Sequence, residues 1–485
     1  KIECSGEEEI PARVDELTRA VKADLNLTPQ QIAGDIDRAV GQITASSPEA
    51  LKFYFEARKR HMATEYKEAI PLYEKAIAID PEFALAYRGL AALYSNQRFV
   101  EKSREAIRKA VANADRISDH ERLLIQGRMH QANERTYPQA IKTYEELTKL
   151  YPDDYMGWNG LAVINSAIDE IEKAIPFNER ACALSKDVLN CGNLAGAYRD
   201  IGLPERAREI YEEYLRTVGE NAIVHVSLGN LALTLGRIDE ARREADKALL
   251  ASPDSIGASH LKTDAYVLEG KFDAAEKELR TVVERGADRD TILARVRLAL
   301  IQAAQGRLAG AAAEMDRVID AADQLKVANM RASALFFSAY IDLWRGRLEA
   351  ATAKLDSALK IFRELELWPN IRTALQVRGR VELAQGRLDK AVETARELRA
   401  FIEQGLNKRA IRYSELLEGD IEVARGNAAK GIALIEHAVS LLYAPAGLSD
   451  EHMGFYRDLA LAYEKAGDME KARATYEKIT GLTTA

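Results

Sequence analysis

The amino-acid sequence predicts an all-α chain organised as a solenoid of stacked helix hairpins. Three observations lead there. Among 485 residues there are only 12 Pro and 29 Gly, and β-branched runs bounded by turn residues are scarce, which argues against a sandwich or barrel. Apolar residues recur at i, i+3, i+4 and i+7, the signature of one buried helix face. A short pattern also returns at near-constant spacing along most of the chain, which marks a repeat architecture.

The repeat is clearest in its second half. A Gly-x-x-x-x-Ala element occurs as Gly202…Ala207, Gly236…Ala241, Gly270…Ala275, Gly306…Ala311, Gly346…Ala351, Gly386…Ala391 and Gly467…Ala472. Gly426 opens a further copy in which Gly431 stands in place of the alanine. About twelve copies align on that residue, at 69, 103 (Ser), 140, 174, 207, 241, 275, 311, 351, 391, 431 and 472. The spacing stays near 34 residues as far as Ala275, then becomes 36, 40, 40, 40 and 41. A first helix precedes each anchor, as in Tyr87, Leu90, Ala91 and Tyr94, or Leu194, Ala195 and Tyr198.

The small residues have a steric purpose. Gly or Ala at the eighth position (Ala91, Ala162, Gly229) and Ala at the twentieth let two helices approach closely. A larger side chain there costs about 1–3 kcal/mol in overpacking. Pro81, Pro152 and Pro253 end the second helix of their copies. No hairpin buries its apolar face alone, so the copies must stack into one continuous core.

This pattern resembles the tetratricopeptide repeat, over roughly residues 50–485. The resemblance implies a right-handed superhelix of about twelve hairpins, with a concave groove lined by the first helices. The stretched copies after Ala275 look like longer-helix repeats of some bacterial regulators. At about 9 Å per helix, some 24 helices follow a path on the order of 200 Å, which predicts an elongated molecule. Some family members grip a C-terminal carboxylate. Asn193 stands at one position of that clamp, but Val163 replaces the Asn expected in the preceding copy.

The expected organisation is a helical junction segment at 1–49, copies of about 34 residues at 50–288, and copies of about 40 residues at 289–485. In the junction, Val14, Leu17, Ala20 and Val21 form one amphipathic face, and Thr28-Pro29 starts a second helix carrying Ile32, Ile36 and Val40. Ser47-Pro48 starts the first repeat helix in the same way. The stretches Val14–Leu17, Ala23–Leu25, Ser47–Ala50 and Ile77–Tyr87 resemble the region joining a catalytic domain to the repeats in bacterial serine/threonine kinase-type signalling proteins. The chain begins at Lys1 rather than Met and is read as a fragment or processed product. Its compartment stays open: the cytoplasm is favoured, and an extracytoplasmic place requires an upstream signal or anchor.

Charge and motif content exclude several function classes. The net charge is −8, from 76 acidic and 68 basic residues, which argues against nucleic acid as a partner. No apolar run is long enough to span a bilayer. Cys4, Cys182 and Cys191 are too few for a disulfide scaffold and lack zinc-ligand spacing, so reduced buried thiols are expected. There is no phosphate-binding glycine loop, no kinase catalytic loop, no His-Glu-x-x-His and no Gly-x-Ser-x-Gly. No enzyme activity, cofactor or metal is therefore assigned. His225, at a core position, is read as a satisfied packing histidine, and Asp119-His120-Glu121 and Asp450-Glu451-His452 as polar helix starts.

The expected function is a non-enzymatic scaffold that binds a protein segment in the groove. Positions 2, 5, 9, 12 and 13 of each first helix should face it. They give Ile223, Val226, Asn230, Leu233 and Thr234 in one copy and His260, Asp264, Val267 and Leu268 in the next. Further along they give Ser333, Phe336, Tyr340, Leu343 and Trp344. The site is assigned to Val226, Asn230, Leu233, Val267, Phe336, Tyr340 and Trp344, with burial of these side chains against neighbouring copies as the competing outcome. A basic set, Arg372, Arg378, Arg380, Arg387, Arg409 and Arg412, is read first as an acid-compensated, solvated face and second as a dock for an acidic segment. The alternative function is a self-assembling solenoid joined through its ends, where Tyr476 and Ile479 have no polar capping copy behind them.

Overall fold

A computed structural model describes residues 47–484 apart from 115–116, 285–288 and 444–449. The expected helices of the junction segment, and Cys4, lie outside these residues. The chain divides into two compact units, residues 1–160 and 161–485. The described residues form 24 α-helices, no strands and two short 3₁₀ turns.

The first hairpins are α1 (Pro48–Met62) with α2 (Tyr66–Ile79), α3 (Ala84–Asn96) with α4 (Val100–Ala112), and α5 (Asp119–Gln131) with α6 (Tyr137–Leu150). The chain continues through α7 (Tyr155–Ala167), α8 (Ile171–Ser185), α9 (Val188–Asp200), α10 (Pro204–Thr217), α11 (Ala222–Thr234) and α12 (Ile238–Ala251). Next come α13 (Ile256–Leu268), α14 (Phe272–Glu284), α15 (Arg289–Ala304), α16 (Leu308–Gln324), α17 (Ala328–Trp344) and α18 (Leu348–Glu364). The last six are α19 (Trp368–Ala384), α20 (Leu388–Glu403), α21 (Ile411–Ala424), α22 (Ala428–Ser440), α23 (Asp450–Ala466) and α24 (Met469–Thr484). These are the twelve hairpins of the repeat, each with its anchor on the second helix. The ten anchor alanines are all buried. Helices α1 to α14 have 13–15 residues and α15 to α20 have 16–17, so the longer spacing is taken up in longer helices.

Helix starts differ between the two members of a hairpin. Several first helices are capped by a side chain: Ser47, Ser118, Asp187, Asn221 and Ser255 each accept from backbone N–H groups of the following turn. Ser118 and Glu121 complete a reciprocal capping box, so Asp119-His120-Glu121 is a polar helix start as expected. Second helices follow a tight turn instead. In eleven of the copies, the residue five before the anchor has positive φ, and the next N–H returns to the carbonyl five residues back, as in Arg347 to Asp342 at 2.8 Å; the copy anchored on Ala140 enters its second helix through a 3₁₀ turn at Glu134–Thr136 instead. This is why glycine recurs there: Gly202, Gly236, Gly270, Gly306, Gly346, Gly386, Gly426 and Gly467 have φ of 69–87°. Thr64, Arg98 and Asp169 fill the same position in earlier copies, at φ of 59–62°.

Gly346→Ala isolates this backbone requirement, because an added Cβ would meet nothing within 4 Å. It is expected to cost about 1 kcal/mol. A lowered urea midpoint with unchanged slope would show it.

Two expectations are corrected. Cys182 and Cys191 are not free thiols but a disulfide. Spacing alone did not reveal this, because the pairing depends on the reversal between α8 and α9. There Lys186 adopts φ 50°, and the two Cα atoms come to 4.7 Å. The second unit, moreover, does not run out as an open ribbon. The turn after α7 meets the start of α21 through Asp169–Arg412 at 2.8 Å and Asp169–Asn407 at 2.9 Å, and the segment after α22 through the Tyr443 hydroxyl, which donates to the Asp169 carbonyl. One turn of the ribbon therefore returns onto itself within this unit.

Candidate functional site

The inner face of the second unit is built from α15, α17, α19, α21 and α23, the first helices of five successive copies. They surround a cavity of about 750 Å³. Its walls are aromatic: Phe336, Phe337, Tyr340 and Trp344 come from α17, Tyr413 from α21 and Phe455 from α23. The α17 rings form a ladder at helical spacing, with centroids 5.2 Å apart for Phe336–Tyr340 and 6.0 Å for Tyr340–Trp344. Trp344 is 53% exposed, an unusual state for so large an apolar side chain.

The polar end of the cavity is a charge cluster. Arg380 on α19 donates from Nε to Asp420 at 3.1 Å and from a terminal nitrogen to Asp458. Arg457 donates to the other oxygen of Asp458 at 2.9 Å. Burial pushes the Asp420 carboxyl up to about 6, against the opposing pull of Arg380 and with a further push from Asp458. Glu451 on the same wall accepts from Arg412 Nε at 2.8 Å and from the Tyr413 hydroxyl at 2.9 Å. The arrangement offers stacking, apolar burial and charged hydrogen bonds. Among the described residues no group of three or more His, Cys, Asp or Glu side chains is placed to hold a metal ion.

The assigned residues divide sharply. Phe336, Tyr340 and Trp344 line the cavity together. Val226, Asn230, Leu233 and Val267 do not. Leu233 is 7% exposed and packs in a core with Ala232, Ala241 and Leu261, so it offers a partner no surface. Val267 is half-buried against the Ala275–Leu279 core. The competing outcome, burial against neighbouring copies, thus applies to these two. Asn230 is exposed, and Val226 is half-buried beside Gly257. Next to them His260 is held well below the usual range, at about 4, by burial and by Arg297 and Arg289. His225 is 2% exposed and bonds Glu244 at 2.7 Å and Glu220 at 2.6 Å, a satisfied core histidine as read.

Residues left out of the assigned groove site, Arg380 of the basic set among them, obey the same rule of positions. Positions 2, 5 and 9 of the last three copies are Thr373, Gln376 and Arg380, then Tyr413, Leu416 and Asp420, then Gly454, Arg457 and Leu461. All of these line the cavity except Asp420, which binds Arg380 beside it, and Leu461. The signal was present and needed only to be carried past α17.

A family profile described as tetratricopeptide repeat matches residues 126–187, 193–256, 263–325 and 416–483, more than half of the chain. A second such profile matches residues 374–397. The chain belongs to the tetratricopeptide-repeat family. It is also similar to anaphase-promoting complex subunit CDC16 of Saccharomyces cerevisiae, at 24% identity over 239 residues. That match covers 47% of this chain and spans only 28% of the relative's length. Among solved structures it resembles a Cut9–Hcn1 hetero-tetramer, with TM-score 0.44 and 12% identity over 86% of this chain and 76% of that one. It also resembles a Rap protein complexed with Competence and Sporulation Factor, with TM-score 0.45 and 12% identity over 82% of this chain and 97% of that one.

The basic set takes a definite form on the tetratricopeptide scaffold. Four of its members, Arg378, Arg380, Arg387 and Arg412, are acid-compensated as read first, but Arg372 and Arg412 are not solvated. Arg378 pairs with Asp356 and Glu382, Arg387 with Glu349, Arg380 with Asp420 and Asp458, and Arg412 with Asp169 and Glu451. Arg372 and Arg412 are buried. Arg409 donates to the Leu441 carbonyl and lies 4.0 Å from the centre of the Tyr443 ring. At the C-terminal end, Tyr476 and Ile479 are half-buried, and Ile479 contributes to the cavity. No helix among the described residues is long and apolar enough to cross a membrane.

Proposed function

We propose that this chain is a tetratricopeptide-repeat interaction scaffold whose second unit binds a protein segment, with the cavity as the pocket for its apolar anchor. One observation carries the reading. Positions 2, 5 and 9 of successive copies converge on a single aromatic cavity with a half-exposed tryptophan at its wall. Such a concave site with a few placed polar groups is the usual form of a recognition pocket. Its charged groups are already paired within the protein, so the gain on binding comes from burying aromatic surface, and Arg380, Glu451 and Arg457 set orientation. We further propose that the scaffold is the repeat region of a larger bacterial signalling protein, where it localises or regulates an attached catalytic domain. The resemblance of residues 14–87 to such junctions supports this.

The test is a peptide selected from a displayed library on the full chain, with affinity read by calorimetry. Phe336→Ala and Trp344→Glu are each expected to weaken binding at least about tenfold, the loss typical of a truncated anchor. Unchanged affinity in both variants would remove the cavity from the reading.

A further inference from the structure

Eight copies place glycine in the turn before the second helix, where φ is positive. Asp169 holds that position at φ 59°, a conformation that disfavours any side chain. Its side chain is engaged far along the chain. The Asp169 carboxylate accepts from Arg412 at 2.8 Å, 243 residues away, and from Asn407 Nδ2 at 2.9 Å. Its carbonyl accepts from the Tyr443 hydroxyl at 2.5 Å, and the Tyr443 hydroxyl oxygen in turn accepts from the Ile171 N–H at 3.1 Å. Glu172 lies 2.9 Å from the same hydroxyl. The Arg412 side chain is only 8% exposed, so this is a desolvated, multiply bonded contact rather than a loose surface pair.

We propose that Asp169 latches one turn of the second unit into a closed ring, and that the enclosed face admits a single extended polypeptide segment and excludes a folded domain. Of the copies spanned by this contact, those of α15, α17 and α19 present Leu300, Phe336, Tyr340, Gln376 and Arg380 to the cavity. A partner must therefore enter along the axis as one chain, or wait for the latch to open. The latch also touches the pocket. Glu451 bonds both Arg412 and Tyr413, and Glu451 and Tyr413 line the cavity, so an occupant that moves either one alters the second partner of the latch arginine. The partner class rests on the cavity reading given above; the ring closure does not.

Asp169→Gly is the decisive variant, because glycine suits the turn and removes only the carboxylate. Tyr443→Phe removes the hydroxyl on the other side. In the full chain each should raise hydrogen exchange at residues 407–413 and 441–443 by about tenfold or more, and Asp169→Gly should increase the radius of gyration. Effects that add independently in the double variant would overturn a shared latch, as would unchanged exchange and scattering in Asp169→Gly. For the partner class, the selected peptide is compared free and grafted between two fixed ends in a folded host. Wild type should bind the grafted form at least about tenfold more weakly than the free one, and Asp169→Gly should narrow that gap. Equal binding of both forms to wild type would overturn the threaded partner while leaving the latch readings intact. Loss of all peptide binding to Phe336→Ala with an unaltered radius would bear only on the cavity.

Discussion

Gly431→Ala should destabilise the protein by about 2–3 kcal/mol, in the range for forced overpacking, although alanine occupies this place in ten other copies. Helix propensity alone would give the opposite sign, a gain of about 1 kcal/mol. The geometry decides between them. A Cβ on Gly431 would stand 2.7 Å from the Gly419 carbonyl oxygen and 2.5 Å from a Val423 methyl. A Cβ on Gly419 would in turn stand 2.9 Å from the Gly431 carbonyl oxygen. Helices α21 and α22 therefore meet backbone to backbone, and a carbonyl, unlike a side chain, has no other rotamer to take. Urea unfolding checks the sign directly: a midpoint at or above wild type would refute the close approach.

Arg380→Met should be the most damaging single change in the cavity wall, costing about 3–5 kcal/mol near pH 7, as removal of one buried partner does. It leaves Asp420 and Asp458 facing each other with only Arg457 to offset them. The loss should shrink as pH falls. Asp420 already has a folded pKa of about 6 against an ordinary value of 3.8. A carboxyl raised in this way binds its proton more tightly when folded. Its contribution to stability is thus greatest below about pH 4 and is lost as pH rises through 6. Removing Arg380 strengthens that preference. The difference between variant and wild type in thermal midpoint should therefore be large at pH 7.5 and small at pH 5. A pH-independent difference would mean that Arg380 acts through packing alone.

How much of this was legible in the sequence follows from where each interaction lies along the chain. The anchors, the recurring glycines and the Ser47-Pro48 start are local requirements, each fixed within a turn or two, and the sequence shows them, although the positive φ behind the glycines emerges only in the structure. The groove rule picks out most of the residues that meet at the cavity, at positions 2, 5 and 9 of the later copies, whereas Leu233 and Val267, both at position 12, pack against core. At position 12 these two side chains turn toward the following copy and meet Leu261 and the Leu298 cluster, whereas Trp344 at position 13 stays half exposed. The Cys182–Cys191 bridge was missed because spacing cannot show how sharply the chain reverses at Lys186. The Asp169–Arg412 pair was invisible for a simpler reason. Nothing in either neighbourhood indicates that copies so far apart touch, and aspartate in place of glycine at residue 169 is no signal by itself, since Thr64 and Arg98 fill the same turn position in other copies.

The bridge between residues 169 and 412 also changes how the chain would bear load. Stacked hairpins pulled apart behave as a spring whose coils give way one by one, each held only by its neighbours. A tie across 243 residues lies in parallel with the coils it spans, so they cannot stretch until it snaps. Tension would first meet a stiff response there and then a sudden release of length.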